Sequence, residues 1–196
     1  MKILVNPGPS SWKKELARPV FKTKEINKIV KPILRKVKRS GDKSLYKFAH
    51  EYEHVDLDSL LVDDTEIKAA AAALAPELRE AIQTAKANIE RFHAAQFSPE
   101  LVEEVMPGVI CKRKSVPIQK VGLYIPGGTA PLFSTVLMLG VPAKLAGCKE
   151  IVLCTPPNRE GKVHPAILFT AELIGIDKIV KVGGAQAIAA LSFGTE

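Results

Sequence analysis

The sequence has few cysteines and no long apolar stretch. Its three cysteines, Cys111, Cys148 and Cys154, form no CxxC pair and are an odd number. This usage excludes a disulfide framework and is typical of a reducing compartment. No apolar run reaches the roughly 18 residues that a membrane-spanning helix requires, and the opening MKILVNPGPSSW lacks the long apolar core of a signal peptide. We therefore expect a cytoplasmic protein that has no membrane partner.

The histidines and cysteines also provide no convincing catalytic or metal-binding cluster. His50 and His54 have the spacing of two zinc ligands on one helical face, but no third ligand accompanies them in the polar segment HEYEH. Cys148 and Cys154 are predicted to be small core residues, and Cys111 has no histidine near it in the sequence. We assign no catalytic and no metal-binding residue to this chain.

The net charge of +7 raises the question of an anionic partner. Much of the excess lies between residues 13 and 47, where basic residues mostly alternate with apolar ones at helical spacing. That pattern favours an ordinary solvated helix face. Because no RNP, zinc-finger or KH-type signature is present, we expect no nucleic-acid partner. The alternative is a polyanion-binding helical protein based on residues 24–47.

The first half of the chain predicts helices. Apolar residues between Ile26 and Val37 recur at i, i+3, i+4 and i+7, which predicts one apolar face of a helix. Pro32 within this stripe should kink the helix or move its start. Gly41 should end the helix. Residues 63–65 open an alanine-rich helix, and Pro76 starts or kinks the next. LVEEVM, the turn Pro107-Gly108 and VICKRK then predict a β-hairpin.

The last third predicts three strand–turn–helix units. The predicted strands are 121–125, 151–154 and 178–182, and the predicted helices are 132–145, 165–174 and 185–191. Alternating strands and helices imply parallel pairing. The predicted fold class is therefore α/β: a helical N-terminal half with a β-hairpin, followed by an incomplete, Rossmann-like parallel sheet of three strands.

Two glycine pairs, Gly127-Gly128 and Gly183-Gly184, follow predicted strands at the edge where open parallel sheets bind ligands. A missing Cβ lets a ligand phosphate approach backbone amides near a helix N-terminus. Neither pair belongs to a GxGxxG fingerprint, and no acidic residue stands at the strand end where a ribose ligand would be expected. Each pair is open to two interpretations, plain turn chemistry or anion binding.

Two polar residues beside these loops favour a ligand. Tyr124 ends the first predicted strand and could stack on a ligand or hydrogen-bond to it; alternatively it is a core aromatic whose hydroxyl faces solvent. Gln186 lies in the first turn of the otherwise apolar helix AQAIAAL, where an amide is unusual as core filler but suits a nucleotide. Tyr124 and Gln186 are the predicted cofactor-binding residues.

The longest motifs resemble one enzyme family. VGLYIPGGTAPLFSTVLMLGVPAKLAGCKEIVLCTPP and KVGGAQAIAAL are similar to the most distinctive blocks of the histidinol dehydrogenases. The weaker blocks RPVF, NIERFHAAQ and MPGV followed by KSVPIQKVGLYIPGG fall in the family's order. The resemblance covers essentially the whole chain, which is identified as the N-terminal portion of a family member.

The resemblance implies a zinc-dependent enzyme that oxidises L-histidinol to L-histidine through L-histidinal with two NAD, in histidine biosynthesis. It also implies two Rossmann-like domains with small terminal segments, and a homodimer. Tyr124 and Gln186 match family residues that contact NAD. The zinc ligands, the catalytic Glu-His pair and most substrate contacts belong to the half that this sequence does not include. We therefore expect part of the NAD site here and no activity from this chain alone.

The expected domains are an N-terminal segment (1–22), the helical and hairpin part of the first α/β domain (23–120), and a Rossmann-like NAD-binding domain (121–196) truncated at its C-terminal side. A non-catalytic nucleotide-binding or assembly module, such as a truncated paralogue, is the alternative to an enzyme. Turnover of histidinol with zinc and NAD separates the two.

Overall fold

The structure, a computed structural model, describes residues 3–18, 23–128 and 130–195. The block RPVF lies outside this range except for Arg18. The described helices are α1 Pro9–Glu15, α2 Thr23–Phe48, α3 Asp64–Ala70, α4 Pro76–Ala94, α5 Phe133–Leu145, α6 Pro165–Leu173 and α7 Gly184–Phe193, with a short π-helix Ala49–Glu53 after α2. The described strands are β1 Leu101–Met106, β2 Val109–Arg113, β3 Lys120–Tyr124, β4 Glu150–Thr155 and β5 Lys178–Lys181. The predicted α/β fold class is confirmed, and each strand of the last third lies within a residue or two of its predicted position.

Helix α2 leaves helical geometry at Gly41, where the sequence predicted a stop. The helix continues through Pro32, and the non-helical backbone lies at Gly41, with φ 48° and ψ −137°. Val37 of the apolar stripe is buried, whereas Ile26 and Ile29 near its start remain exposed. The stripe therefore contributes to the core through its C-terminal part.

The basic face of α2 is partly engaged with aromatic rings. The Lys36 ammonium lies 4.8 Å from the centre of the Phe48 ring, and that of Lys38 lies 5.5 Å from the centre of the Phe193 ring. Such contacts are attractive because the ring face carries partial negative charge. These two lysines contribute to packing as well as to the net charge.

Helix α3 begins at the residues that the sequence indicated. Asp63 is its N-cap, and its carboxylate accepts the N–H of Glu66 at 2.8 Å. The Thr65 hydroxyl and the Glu66 N–H lower the pKa of Asp63. Pro76 occupies the first turn of α4, where its missing N–H costs nothing.

The three-stranded sheet is parallel and has the order β3-β4-β5. In its register, Leu123 lies opposite Leu153, and Leu153 lies opposite Ile179. These three side chains face one apolar cluster together with residues of α3–α6, while α2 and α7 form a second cluster on the other face. The sheet is therefore the middle of three layers.

The two edges of this sheet differ. Residues 60–62 run along β5: the Lys181 N–H donates to the Leu60 carbonyl at 2.7 Å, and the Val62 N–H donates to the Ile179 carbonyl at 3.0 Å. Along β3, the only strand that pairs within the described residues is β4. Helix α7 packs with α2 on the face of the sheet opposite α5 and α6, and it contacts β3.

The predicted hairpin is confirmed as an antiparallel pair of β1 and β2. Gly108 has φ +80°, a conformation that favours glycine, and its N–H donates to the Glu104 carboxylate at 2.8 Å. Both strands are exposed along their whole length. Among the described residues, no helix is both long and apolar enough to cross a membrane.

Candidate functional site

Strand β3 and helix α7 bring the two predicted cofactor residues together at Gly184. The Gly184 N–H donates to the Tyr124 hydroxyl oxygen at 3.0 Å. The Gln186 Oε1 atom lies 2.6 Å from the point that a Cβ on Gly184 would occupy. Because parallel strands place their carboxyl ends at one edge, these residues meet although they are distant in sequence.

The backbone at Gly184 requires a residue without a side chain. Its φ is +60°, which L-residues other than glycine rarely adopt, and a Cβ there would collide with Gln186. Gln186 itself is only 2% exposed, whereas Tyr124 is half-buried. The Gln186 amide and the Tyr124 hydroxyl thus both lie against Gly184 at the turn into α7. We call Tyr124, Gly183, Gly184 and Gln186 the cofactor corner.

A carboxylate that the sequence did not predict completes this corner. Glu53, the last residue of the π-helix, accepts a hydrogen bond from the Gly183 N–H. Its Oε1 atom lies 2.7 Å from the point that a Cβ on Gly183 would occupy, and the Cβ of Pro156 lies equally close to that point. No local signal marked Glu53, because it comes from a polar segment far from β5 and reaches the corner only through the packing of α2 on α7.

Burial raises the pKa of Glu53, while the N–H groups of Glu53 itself and of Gly183 oppose that shift. Its Oε2 atom is inaccessible to solvent and has no hydrogen-bond partner among the described residues. A carboxylate is therefore held near the N-terminus of α7 with only part of its acceptor capacity used.

The two glycine pairs differ in the space around them and in the acceptors that their amides meet. At Gly183-Gly184 both amides already have acceptors, Glu53 and Tyr124, which favours turn chemistry over anion binding. At Gly127 a Cβ would lie 2.6 Å from the Cγ atom of Pro156, so glycine there allows close packing. A Cβ on Gly128 would meet no atom within 4 Å. Of the two pairs, Gly127-Gly128 keeps the space that an approaching ligand requires.

A cleft of about 840 Å³ lies on the α3–α6 side of the same sheet edge. Its wall includes Gly127, Gly128 and Pro156, but neither Tyr124 nor Gln186. Because Pro156 borders this cleft and also packs against Gly183, it lies between the cleft and the cofactor corner. We base the site on the corner, where the polar groups converge, and take the cleft as an adjoining space.

The Glu66 carboxylate links three elements that border this cleft. One of its carboxylate oxygens accepts the Val163 N–H at 3.2 Å, and the other pairs with the Lys181 ammonium at 3.0 Å. Both charged side chains are largely shielded from solvent. Glu66 and Lys181 are thus engaged with each other, and they link α3, β5 and the loop before α6.

The thiols differ in their environments. Cys154 is buried, and burial raises its pKa to about 12, so the thiol stays protonated near neutral pH. Cys148 is half-buried and Cys111 is exposed on the hairpin. Cys154 therefore occupies the core position predicted for it and is no nucleophile there.

The histidines are engaged in local structure. His50 Nδ1 lies 2.9 Å from an Asp56 carboxylate oxygen, and His54 has a left-handed backbone at the end of the π-helix. His164 is the N-cap of α6, where its Nδ1 accepts the Ala166 N–H at 3.1 Å. Across the described part of the chain, no three His, Cys, Asp or Glu side chains stand close enough to hold a metal ion. These residues do not fit a zinc site.

Comparison with known proteins decides the family. The profile described as "Histidinol dehydrogenase" matches residues 16–196. The chain belongs to the histidinol dehydrogenase family. It is 52% identical over 196 residues to the histidinol dehydrogenase of Bacteroides fragilis, covering 100% of this chain and 46% of that protein. It is 48% identical over 183 residues to that of Xylella fastidiosa, covering 93% of this chain and 42% of that protein.

A solved structure of a family member confirms the fold. The crystal structure of histidinol dehydrogenase from Elizabethkingia anophelis superposes with a TM-score of 0.92 at 50% identity, covering 97% of this chain and 44% of that chain. The chain spans about half the length of the curated relatives that it matches, and corresponds to their N-terminal part.

Proposed function

We propose that this chain supplies part of the NAD site of a histidinol dehydrogenase. Such an enzyme oxidises L-histidinol to L-histidine through L-histidinal with two NAD, in histidine biosynthesis. The observation that carries the proposal is the meeting of Tyr124 and Gln186 at Gly184, in a chain that belongs to this family. We further propose that the complete enzyme is zinc-dependent, homodimeric and cytoplasmic.

The cofactor corner has the groups that a dinucleotide requires. The Tyr124 hydroxyl accepts the Gly184 N–H and so keeps its own O–H free to donate to a ligand. The Gln186 amide offers both a donor and an acceptor. Gly128 lines the adjoining cleft together with Pro156 and leaves room for a ligand to approach the backbone. Bound NAD would accept hydride, and the residues of this chain would bind and orient it.

Zinc is not assigned to the residues of this chain. The described residues contain no set of three metal ligands, and the family resemblance places the zinc ligands and the acid-base pair in the half of the relatives that this chain does not match. We propose that residues of that other half of the full-length enzyme carry out proton transfer.

We also propose the division into residues 1–22, 23–120 and 121–196, with the last as the NAD-binding domain. It is supported by the start of the parallel sheet at Lys120, where β3 begins. The boundary is a change of topology and not a gap in packing. Helix α2 packs directly on α7, and residues 60–62 hydrogen-bond to β5, so the two parts share one core.

The test compares two proteins: this chain alone, and a full-length dehydrogenase whose N-terminal segment is this chain. We expect zinc-dependent NADH production from L-histidinol by the full-length protein and none by the 196-residue chain. Activity of the chain alone would contradict the assignment of the reaction to the other half. An inactive full-length protein that still binds NAD would favour the non-catalytic nucleotide-binding module.

A further inference from the structure

The backbone leaves regular helical geometry at the residue that meets the start of α7. Glu53 is the last residue of the π-helix Ala49–Glu53, and His54 after it has a left-handed backbone with φ 56°. Single π-helical turns occur frequently at functional sites. A left-handed conformation at a residue other than glycine is strained and persists only where the surroundings enforce it. The chain around Glu53 is therefore held in an unusual course by its contacts.

The segment that carries Glu53 is anchored on both sides. Before it, Phe48 lies in the apolar cluster that α2 shares with α7. After it, Val55 is buried, and the carbonyl of Leu60, a residue of the same cluster, accepts the Lys181 N–H of β5 at 2.7 Å. The position of the carboxylate between these anchors is thus set by the packing of the protein and needs no ligand.

The carboxylate approaches Gly183 more closely than a side chain there would allow. Gly183 has φ −103° and ψ −175°, an extended backbone that any residue adopts. A Cβ at this position would nevertheless lie 2.7 Å from the Glu53 Oε1 atom. The Gly183 N–H donates to the carboxylate. Glycine therefore serves close approach at this position, and the hydrogen bond holds the residue directly before Gly184.

Glu53 acts on a cofactor through this turn and not by touching it. Its Oε2 atom is inaccessible to solvent. Gly183 is the N-cap of α7 and has no side-chain cap of its own, and a negative charge near a helix N-terminus is stabilised by the unpaired N–H groups there. The next amide, that of Gly184, donates to the Tyr124 hydroxyl, and Gln186 lies against the same glycine. A shift of Gly183 would move both contacts.

We propose that Glu53 is a positioning residue of the cofactor corner. By holding Gly183, it keeps the Gly184 amide on the Tyr124 hydroxyl and the first turn of α7, with Gln186, in place. The corner is then ordered before the dinucleotide binds, which lowers the entropic cost of binding. The inference rests on the proposed NAD site and adds to it a residue that neither the sequence motifs nor the family resemblance assigned.

The test separates the reach of the Glu53 side chain from its charge. It uses the full-length dehydrogenase and titration calorimetry with NAD. Glu53→Asp keeps the charge but is one methylene too short to hold Gly183, so the NAD dissociation constant should rise by about threefold to tenfold, as for one lost hydrogen bond. Glu53→Gln loses the charge but keeps an acceptor oxygen at the same reach, and should retain most of the wild-type affinity.

Steady-state kinetics provide a second readout. Because Glu53 touches neither substrate nor cofactor, Glu53→Asp should raise the KM for NAD while kcat at saturating NAD stays near the wild type. Glu51→Asp is the matched control, since Glu51 lies in the same π-helix and pairs with Lys47 at 3.6 Å away from the corner. It should change neither the KM nor the dissociation constant.

Three outcomes would overturn the role of Glu53. Weak NAD binding in Glu53→Gln with wild-type binding in Glu53→Asp would mean that charge matters and reach does not. A lower melting temperature of Glu53→Asp with wild-type NAD affinity would reduce Glu53 to general stability. Equal losses of affinity in Glu53→Asp and Glu51→Asp would remove its specific effect. A wild-type enzyme that binds no NAD would instead refute the proposed function itself.

Discussion

Gly184 is the residue at which the cofactor corner is assembled. Its amide reaches the Tyr124 hydroxyl, its missing Cβ makes room for Gln186, and its φ of +60° turns the chain from β5 into α7. A side chain at this position would both strain the backbone and displace the amide of Gln186. The arrangement of the corner therefore depends on glycine at position 184.

The cysteines provide a prediction at the residue scale. Cys154 is buried with a pKa of about 12, whereas Cys111 is exposed. Because the thiolate is the species that reacts, iodoacetamide at pH 8 should modify Cys111 in the native chain and Cys154 only after denaturation. Peptide mass spectrometry of the labelled chain measures both sites. Rapid native modification of Cys154 would contradict the buried position of β4.

Sequence reasoning predicted part of the geometry of the corner. The closeness of Tyr124 and Gln186 to one sheet edge was predictable because Tyr124 ends one strand signal and Gln186 follows another; their contact with NAD stays a proposal. Glu53 was not predictable, since its role arises from contacts between segments that are distant in the chain. The choice between turn chemistry and anion binding at Gly183 also required knowing which acceptors its amide meets.

At the scale of elements, α7 packs closely on β3 because Gly122 of β3 has no side chain. A Cβ on Gly122 would lie 2.5 Å from the Cδ1 atom of Leu191 and 2.9 Å from its Cγ, so the whole side-chain end would have to move. Gly122→Ala should therefore destabilise the α7–β3 contact by about 1–3 kcal/mol, as overpacking does. Hydrogen exchange of the α7 amides in the full-length protein measures this local stability.

Leu191→Ala provides the control for this prediction. In that background the added methyl of Gly122→Ala has space, so the cost of the substitution should fall well below its cost in the wild type. Residues in direct contact are expected to show such coupling. Strictly additive effects would mean that Gly122 and Leu191 are not packed together.

The elements themselves were largely predictable, with one instructive difference. Strand and helix positions after residue 120 followed from the alternation of apolar strands, glycine turns and apolar helices. In α2 the stop predicted at Gly41 is confirmed, whereas Pro32, where a kink or a shifted start was predicted, lies inside the helix. Proline removes one hydrogen bond but has helical φ, whereas Gly41 has φ 48°, which takes the chain out of the helix.

At the scale of the whole molecule, the sheet is covered on both faces and along the β5 edge. The β3 edge has no neighbouring strand within the described residues. Unpaired N–H and C=O groups along a strand are a template for association. Apolar side chains also remain exposed on the hairpin, among them Val105 and Ile110. The isolated chain thus presents two surfaces that favour contact with other chains.

We therefore predict that the isolated 196-residue chain self-associates in a concentration-dependent manner. Light scattering over a dilution series should give an apparent mass above the 21.3 kDa of the monomer. A Lys substitution on the exposed hairpin, Val105→Lys, should reduce the association if the hairpin contributes. A monodisperse monomer at every concentration, with one cooperative thermal transition, would contradict the prediction.

The central claim is that Tyr124 and Gln186 contact NAD. In the full-length dehydrogenase, Tyr124→Phe and Gln186→Ala each remove neutral hydrogen-bonding groups, worth about 0.5–1.5 kcal/mol. Each should raise the NAD dissociation constant roughly twofold to twelvefold without changing zinc content or fold. Tyr46→Phe, on the exposed part of α2, is the control and should leave the constant unchanged. Wild-type NAD affinity in both variants, measured by titration calorimetry, would contradict the assignment of this corner.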